Sequence, residues 1–323
     1  MSLGLVVRLS GCMKNTERMV SENVTTPHAK VSRFIRGGKF MGYIIGSLNA
    51  RHFSGLGSHD IGKMADIINA EQFDVVALQE VKSQRPIDWL VARLHGWKGY
   101  HGKSQSDTDY GGGHEERGTG LGFAYLWNTQ RLRECSRDGQ PEIITRFSSH
   151  IKRKPFYGRF TPSGLGGPFC EFRLINVHLW HGENYAAGSP QRLQEFEAVT
   201  REIYNYLSNR RYGDHMQAFT IVLGDYNFSA VFCEAYKEAT ARYYIKTVQE
   251  KATTLTKPES KNPGFVNNFD HFGYDARKFA ATEIIYDRVE TVSKYLNNDF
   301  DKHSREISDH VPIKIELILN PGR

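Results

Sequence analysis

The chain is poor in cysteine, and its four cysteines are too scattered to organise it. Cys12, Cys135, Cys170 and Cys233 form no CxxC pair, which argues against a structural zinc site. Four cysteines in 323 residues do not make a disulfide scaffold either, so reduced thiols are expected. No apolar run approaches the ~18 residues of a membrane-spanning helix. No internal repeat, low-complexity block or Pro/Ser/Gly linker divides the sequence. P-loop, GxSxG and HExxH strings are also missing. Their absence removes the usual nucleoside-triphosphatase, serine-hydrolase and zinc-protease chemistries.

What is present has ordinary globular composition, 39% hydrophobic and 12% aromatic. The net charge of +6 and pI near 9.0 suit a polyanionic partner, although mild basicity is common among proteins without one. Residues 1–39 read as a polar, basic leader without periodicity and without packed structure of its own. Leu9-Ser10-Gly11-Cys12 has the look of a lipoprotein cleavage box. Arg8, however, sits where a signal peptide needs its apolar core. A cytoplasmic monomer is the favoured expectation, with export through a lipidated Cys12 as the minor alternative.

Residues 40–320 read as a single domain in which strands alternate with helices, with hairpin-like strand pairs mixed in. Apolar stripes mark helices over residues 59–71, 190–207 and 230–241. Ile61, Met64, Ala65 and Ile68 form the first stripe; Leu193, Phe196, Val199, Ile203 and Leu207 form the second. Ser189-Pro190 supplies a cap and a first-turn proline for the second helix. Strands are expected over 42–49, 73–80, 121–127, 169–179, 218–224, 268–273, 282–287 and 311–318. Residues 104–120 and 253–268 read as long irregular loops.

Chemistry-bearing residues fall at the ends of these apolar runs. Asn49 closes Gly42–Leu48 and Glu80 closes Phe73–Gln79. His178 closes Phe172–Val177, and Asp225 and Asn227 follow Phe219–Gly224. Ser308-Asp309-His310 opens the run Val311–Leu317. Each string alone is weak. A lone strand-end Glu usually faces solvent, and Gly-Asp-x-Asn is a common turn. Together they supply hard oxygen donors, an acid able to accept a proton from water, and two imidazoles.

In this order the strings resemble the endonuclease/exonuclease/phosphatase superfamily, the pancreatic-deoxyribonuclease-like fold, over roughly residues 40–319. The resemblance implies a four-layer α/β sandwich: two packed mixed β-sheets flanked by helices. It implies metal-assisted hydrolysis of a phosphate ester, with Mg²⁺ as the expected cofactor and Mn²⁺ or Ca²⁺ as alternatives. Glu80, Asp309 and Asn49 would hold the metal, Asn49 through its amide oxygen or through a metal-bound water. Asp225 would activate water, and His178, Asn227 and Arg153 would bind the phosphoryl group. Asp270 would support His310, with Asp287 as its rival. Segment 115–120 is more glycine-rich than the family's acid-Arg-aromatic string, so the acid that supports His178 stays open. Nucleic acid, DNA first, is the favoured partner, since residues 242–261 mix Arg242, Lys246, Lys251, Lys257 and Lys261 with Tyr243 and Tyr244. The alternatives are a phosphorylated metabolite or lipid of the inositol-phosphate or sphingomyelin class, and a non-catalytic nucleic-acid binder.

Overall fold

The structure, a computed structural model, describes residues 41–103, 121–136, 138–147, 149, 151–164, 169–180, 190–212, 216–240 and 245–319. All fall within one unit, Arg36–Arg323. The expectations for the 1–39 leader with Cys12, for the 104–120 loop, and for Ser189, Arg242, Tyr243 and Tyr244 lie outside the described residues.

The chain begins with β1 (Met41–Phe53), crosses through α1 (Ile61–Ala70) to β2 (Val75–Val81), and continues through α2 (Gln84–Val91) to β3 (Trp97–Lys103) and β4 (Gly122–Asn128). Asp60 caps α1 by accepting from the Lys63 amide at 2.9 Å. Next come β5 (Leu132–Glu134), β6 (Glu142–Ile143), β7 (Phe156–Pro162) and β8 (Cys170–His178). The second crossover is α3 (Pro190–Glu197), a π-helical stretch (Ala198–Ile203) and α4 (Tyr204–Asn209), leading into β9 (Gln217–Asp225). The remainder is α5 (Ala230–Thr240), β10 (Ile245–Val248), β11 (Asp270–Asp275), a 3₁₀ turn (Ala276–Phe279), β12 (Glu283–Arg288), α6 (Thr291–Leu296), α7 (Phe300–Glu306) and β13 (Ile313–Leu319).

These strands make two mixed sheets. One has the order β12-β13-β1-β2-β4-β3, and the other β10-β11-β9-β8-β7-β5 with β6 on β7. Each has one parallel pair at its centre, β1 with β2 and β8 with β9, each joined by a helical crossover. The sheets pack face to face through Tyr43, Ile45, Phe123, Phe156, Phe172, Leu174, Ile221 and Ile315. The outer face of the first sheet is covered by α1 and α2 through Met64, Ile67, Ile68, Ile87 and Leu90, and that of the second by the second crossover through Phe196, Val199, Ile203 and Leu207. The expected four-layer sandwich is the architecture observed.

Two polar side chains stitch the sheets together inside the core. Gln79 on β2 donates to Asn176 Oδ1 on β8 at 2.7 Å, and Asn176 donates back to the Leu78 carbonyl at 3.0 Å. A buried amide N–H left unpaired is costly. Their pairing therefore fixes how the end of β2 sits over the end of β8, the two strand ends that carry Glu80 and His178.

Several elements escape the sequence pattern. The expected 190–207 helix is a helix interrupted by a π-helical stretch, and α2, α6, α7, β3, β5, β6, β7 and β10 have no counterpart among the expected elements. Strand β7 hides behind Gly158, Arg159 and Pro162, because its arginine is buried and paired with Glu171 on β8. The irregular expectation for 253–268 holds; it carries isolated bridges, Thr254 to His310 and Leu255 to Phe265, and further backbone hydrogen bonds such as Leu255 N–H to the Asp309 carbonyl at 2.8 Å.

Candidate active site

The two parallel pairs end at the same edge of the sandwich. Register places Asn49 beside Gln79 in one sheet, and His178 beside Asp225 beside Asp270 in the other. A single buried group of side chains bridges the sheets there. Asn49 Nδ2 donates to Asp225 Oδ2 at 3.1 Å and to Glu80 Oε1 at 3.2 Å. His178 Nε2 lies 3.6 Å from Asp225 Oδ2 and 3.8 Å from Glu80 Oε1. His310 Nε2 lies 3.8 Å from Asp225 Oδ2, while its Nδ1 is 2.8 Å from Asp270 Oδ2. The Asn227 amide N–H donates to Asp225 Oδ1 at 2.9 Å, and the Asn227 side chain donates to the Leu179 carbonyl at 2.7 Å.

The backbone around this group is bent into unusual shapes. Glu80, Asn227, Arg51 and His52 all have positive φ, at 59°, 53°, 44° and 51°. Side-chain-bearing residues pay for such conformations, and such strain concentrates at functional sites. Here it turns the Glu80 carboxylate back toward β1, where Oε2 accepts the His52 amide N–H at 3.0 Å. Gly224 explains the other half. Its φ is 138°, and a Cβ there would sit 2.0 Å from the Val177 carbonyl oxygen. Only glycine lets β9 approach β8 this closely just before Asp225.

Electrostatics divides the titratable groups into opposite roles. Burial pushes the Asp225 carboxyl up to about 7, against the pull of the His310 charge. Burial alone would depress His310; the Asp270 carboxylate, with Asp225 and Asp309 beyond it, reverses this and lifts the imidazole to about 10. The result is a carboxyl poised near neutrality beside an imidazolium that keeps its proton. Thr253 Oγ1 donates to the same Asp270 oxygen at 2.6 Å and accepts the Asp270 amide N–H at 3.2 Å, which holds the acid in place.

Asp309 lies next to this group. Ser308 Oγ donates to the Asn49 carbonyl at 2.6 Å and so clamps the Ser308-Asp309-His310 string against β1. Arg51 Nε lies 3.5 Å from Asp309 Oδ2, and its guanidinium also donates to Ser304 Oγ at 2.9 Å. Glu80 and Asp309 offer the carboxylate oxygens that a hard divalent ion takes, with water and substrate phosphate completing its shell. Asn49, expected to offer its amide oxygen or to hold a metal-bound water, is engaged at both ends of its amide. Its Oδ1 accepts from the Arg51 amide N–H at 3.1 Å, and its NH₂ faces two carboxylates. It therefore bridges Glu80 and Asp225.

A family profile described as Endonuclease/Exonuclease/phosphatase family matches residues 46–265. The chain belongs to the endonuclease/exonuclease/phosphatase family. It is an enzyme of the phosphoesterase class, and enzymes of this family generally depend on a divalent metal. Solved structures share the fold at low identity. An endonuclease/exonuclease/phosphatase family protein from Bacteroides thetaiotaomicron matches with TM-score 0.55 and 15% identity, covering 87% of this chain and 98% of its own. D. rerio TDP2, solved complexed with single strand DNA product, matches with TM-score 0.56 and 16% identity, covering 85% and 98%. The B. thetaiotaomicron mannosyl-6-phosphatase Bt3783 matches with TM-score 0.55 and 15% identity, covering 85% and 99%. No curated protein matches the chain in sequence.

Of the nine expected site residues in this family member, Asn49, Glu80, His178, Asp225, Asn227, Asp270, Asp309 and His310 come together. Arg153 stands apart: among the described residues no hydrogen bond or ion pair joins it to the group. Its Nη1 is buried without a partner, and its charge acts on Glu195. The rival acid Asp287 is engaged elsewhere, 2.7 Å from Lys251 Nζ.

Sequence reasoning missed Arg51, Thr253, Arg192 and Glu195. Arg192 and Glu195 lie on α3, 4% and 1% exposed. Arg192 donates to the Asn227 carbonyl and lies over the Phe228 ring. Glu195 accepts the Lys152 amide N–H at 2.8 Å and the Trp180 amide N–H at 2.6 Å. Ser308 was legible as the first letter of its string, whereas nothing in the sequence singled out Thr253.

Proposed function

We propose that the chain is a Mg²⁺-dependent phosphodiester hydrolase acting on nucleic acid, with DNA the preferred substrate. The observation that carries the reading is Asp225, held between His178, His310 and Asn49 with Glu80 and Asp309 beside them. A divalent cation on Glu80 and Asp309 would neutralise charge on the phosphoryl and leaving oxygens. Asp225, with its pKa raised toward neutrality, suits the removal of a proton from an attacking water. His310 remains an imidazolium through its bond to Asp270, and with His178 it stabilises the phosphoryl oxygens. The Asn227 amide orients Asp225, and Arg153 supplies a further cation for the substrate backbone. The basic charge of the chain and the single-strand DNA product in the similar TDP2 structure favour a polyanionic substrate. The second reading, a phosphatase of a phosphorylated sugar, draws on the equally similar mannosyl-6-phosphatase.

The test is a hydrolysis panel with and without Mg²⁺: plasmid DNA, single-stranded DNA, RNA, mannose 6-phosphate, an inositol polyphosphate and sphingomyelin. DNA cleavage that Mg²⁺ restores after chelation is expected. Turnover confined to a monoester would move the chain to the phosphatase reading.

A further inference from the structure

A second concentration of positive charge lies at the far end of the β8/β9 sheet, where these strands begin. Tyr212 lies between α4 and β9, and three guanidinium groups flank its ring. Arg159, Arg210 and Arg173 lie 3.4, 4.8 and 5.0 Å from the ring centroid. Arg159 and Arg173 are buried and share the single carboxylate of Glu171, so they are tied down beneath the tyrosine. Arg210 is half-buried and stacks on Tyr206 as well, at 5.7 Å. Arg211 follows it, exposed. Lys278 reaches the same place from the 3₁₀ turn, with Nζ 3.0 Å from Asn209 Oδ1. Burial and the nearby Arg173 and Arg277 charges outweigh Asp275 and lower its pKa.

The aromatic rings have a physical consequence. A free arginine loses much rotamer entropy when it grips a phosphate. A guanidinium held flat on tyrosine rings has lost part of that entropy already, so an anion binds it at lower cost. Stacked arginines beside tyrosines are also the side chains that take phosphates and bases of a flexible strand.

We propose that Tyr206, Arg210, Arg211, Tyr212 and Lys278 form a distal nucleic-acid docking surface, which holds the substrate strand away from the catalytic edge. The inference rests on the nucleic-acid reading above, because a sugar phosphate bound at Asp225 cannot extend this far. Strand β9 runs from Gln217 to Asp225. At ~3.3 Å per residue its ends are about 26 Å apart. That distance corresponds to about eight phosphates at 3.4 Å each along one strand of B-form DNA, and to fewer along an extended single strand. The surface therefore acts only on ligands longer than this.

The experiment measures binding of fluorescein-labelled single-stranded DNA of five and of twenty nucleotides to the full chain, in chelator so that no cleavage occurs, across a salt series. Removing two cations that each neutralise a phosphate of a single strand reduces the slope of log K against log salt by about 1.4 and affinity near 0.1 M salt by about 25-fold. This loss is expected for R210Q/R211Q with the 20-mer but not with the 5-mer, and R210K/R211K should recover most of it. Photo-cross-linking of a bromodeoxyuridine 20-mer to the unmodified chain should map to residues 206–212. Equal effects on both lengths, no effect on either, cross-links that leave out residues 206–212, or displacement of the 20-mer by polyglutamate at equal charge would overturn the proposal. Undiminished 20-mer binding in R210Q/R211Q, from an enzyme that cleaves DNA, overturns the distal surface alone. The expected binding pattern without DNA cleavage overturns the catalytic reading alone.

Discussion

His310 shows what a single residue gains from its neighbours. Its Nδ1 faces Asp270, and that carboxylate is in turn held by Thr253. Replacing Asp270 by Asn removes the largest of the charges that raise the imidazole to about 10, so the His310 pKa should fall in a histidine NMR titration. On kcat/KM, D270N and H310A should be strongly non-additive, the double variant losing little more than H310A alone. Multiplying losses would break the pairing. His303 shows the opposite case. Burial lowers its pKa to about 4, and its ring lies between Thr291 Oγ1 and the Ser308 carbonyl, 2.7 Å from each. A group whose folded pKa lies below its unfolded value of ~6.5 gives stability that is complete above 6.5 and is lost as pH falls toward 4. Urea melts at pH 7 and pH 4.5 should differ by a few kcal/mol more in the natural chain than in H303Q. Equal differences would show that His303 is not the source. At this scale the sequence was most legible where a residue closes an apolar strand, as Glu80, His178 and Asp225 do. It was silent on Thr253, because a threonine in an irregular loop has no periodic signature.

At the scale of elements, the informative misreading is the second crossover. Apolar periodicity located residues 190–207 and named Leu193, Phe196, Val199, Ile203 and Leu207, of which all but the half-buried Leu193 are buried. It could not show that the same face buries Arg192 and Glu195, since charged residues read as solvent-facing until their partners are known. Those partners come from other elements. Glu195 collects amides from the 151–155 turn and from the end of β8, and so ties Arg153 to the segment that follows His178. E195A leaves two part-buried N–H groups without their acceptor, at up to ~1–3 kcal/mol each. A thermal melt should show that loss, and KM for an oligonucleotide should rise more than kcat falls if Arg153 contacts substrate. E195Q keeps an acceptor oxygen and should recover part of both. A Tm unchanged in E195A would remove this role. Strands β5, β6 and β10 were illegible for a different reason: they have 3, 2 and 4 residues, too few for an alternating pattern to stand out.

For the whole molecule, the arrangement of the sheets matters more than any single contact. Two parallel strand pairs from different parts of the chain end at one edge, and the Gln79–Asn176 bridge holds those ends in register across the core. The sequence contained the strand ends but not the register between sheets, because it gives no direct signal of which faces meet. Glu80 and Asp225 lie on either side of the Asn49 amide, and wherever both are ionised their repulsion would weaken the fold at this edge. On the proposed reading a divalent cation on Glu80 and Asp309 would offset it and should stabilise the native chain by mass action, by about 2.7 kcal/mol at a hundredfold excess over Kd. For a domain of this size that is on the order of a 5 °C rise in Tm. Differential scanning fluorimetry with Mg²⁺ and with chelator measures this directly and requires no substrate. E80Q removes one anion from the group, so it should melt at or above the natural chain in chelator and gain almost nothing from Mg²⁺. An E80Q variant that gained the full rise would place the cation elsewhere, and the role given to Glu80 would fall with it.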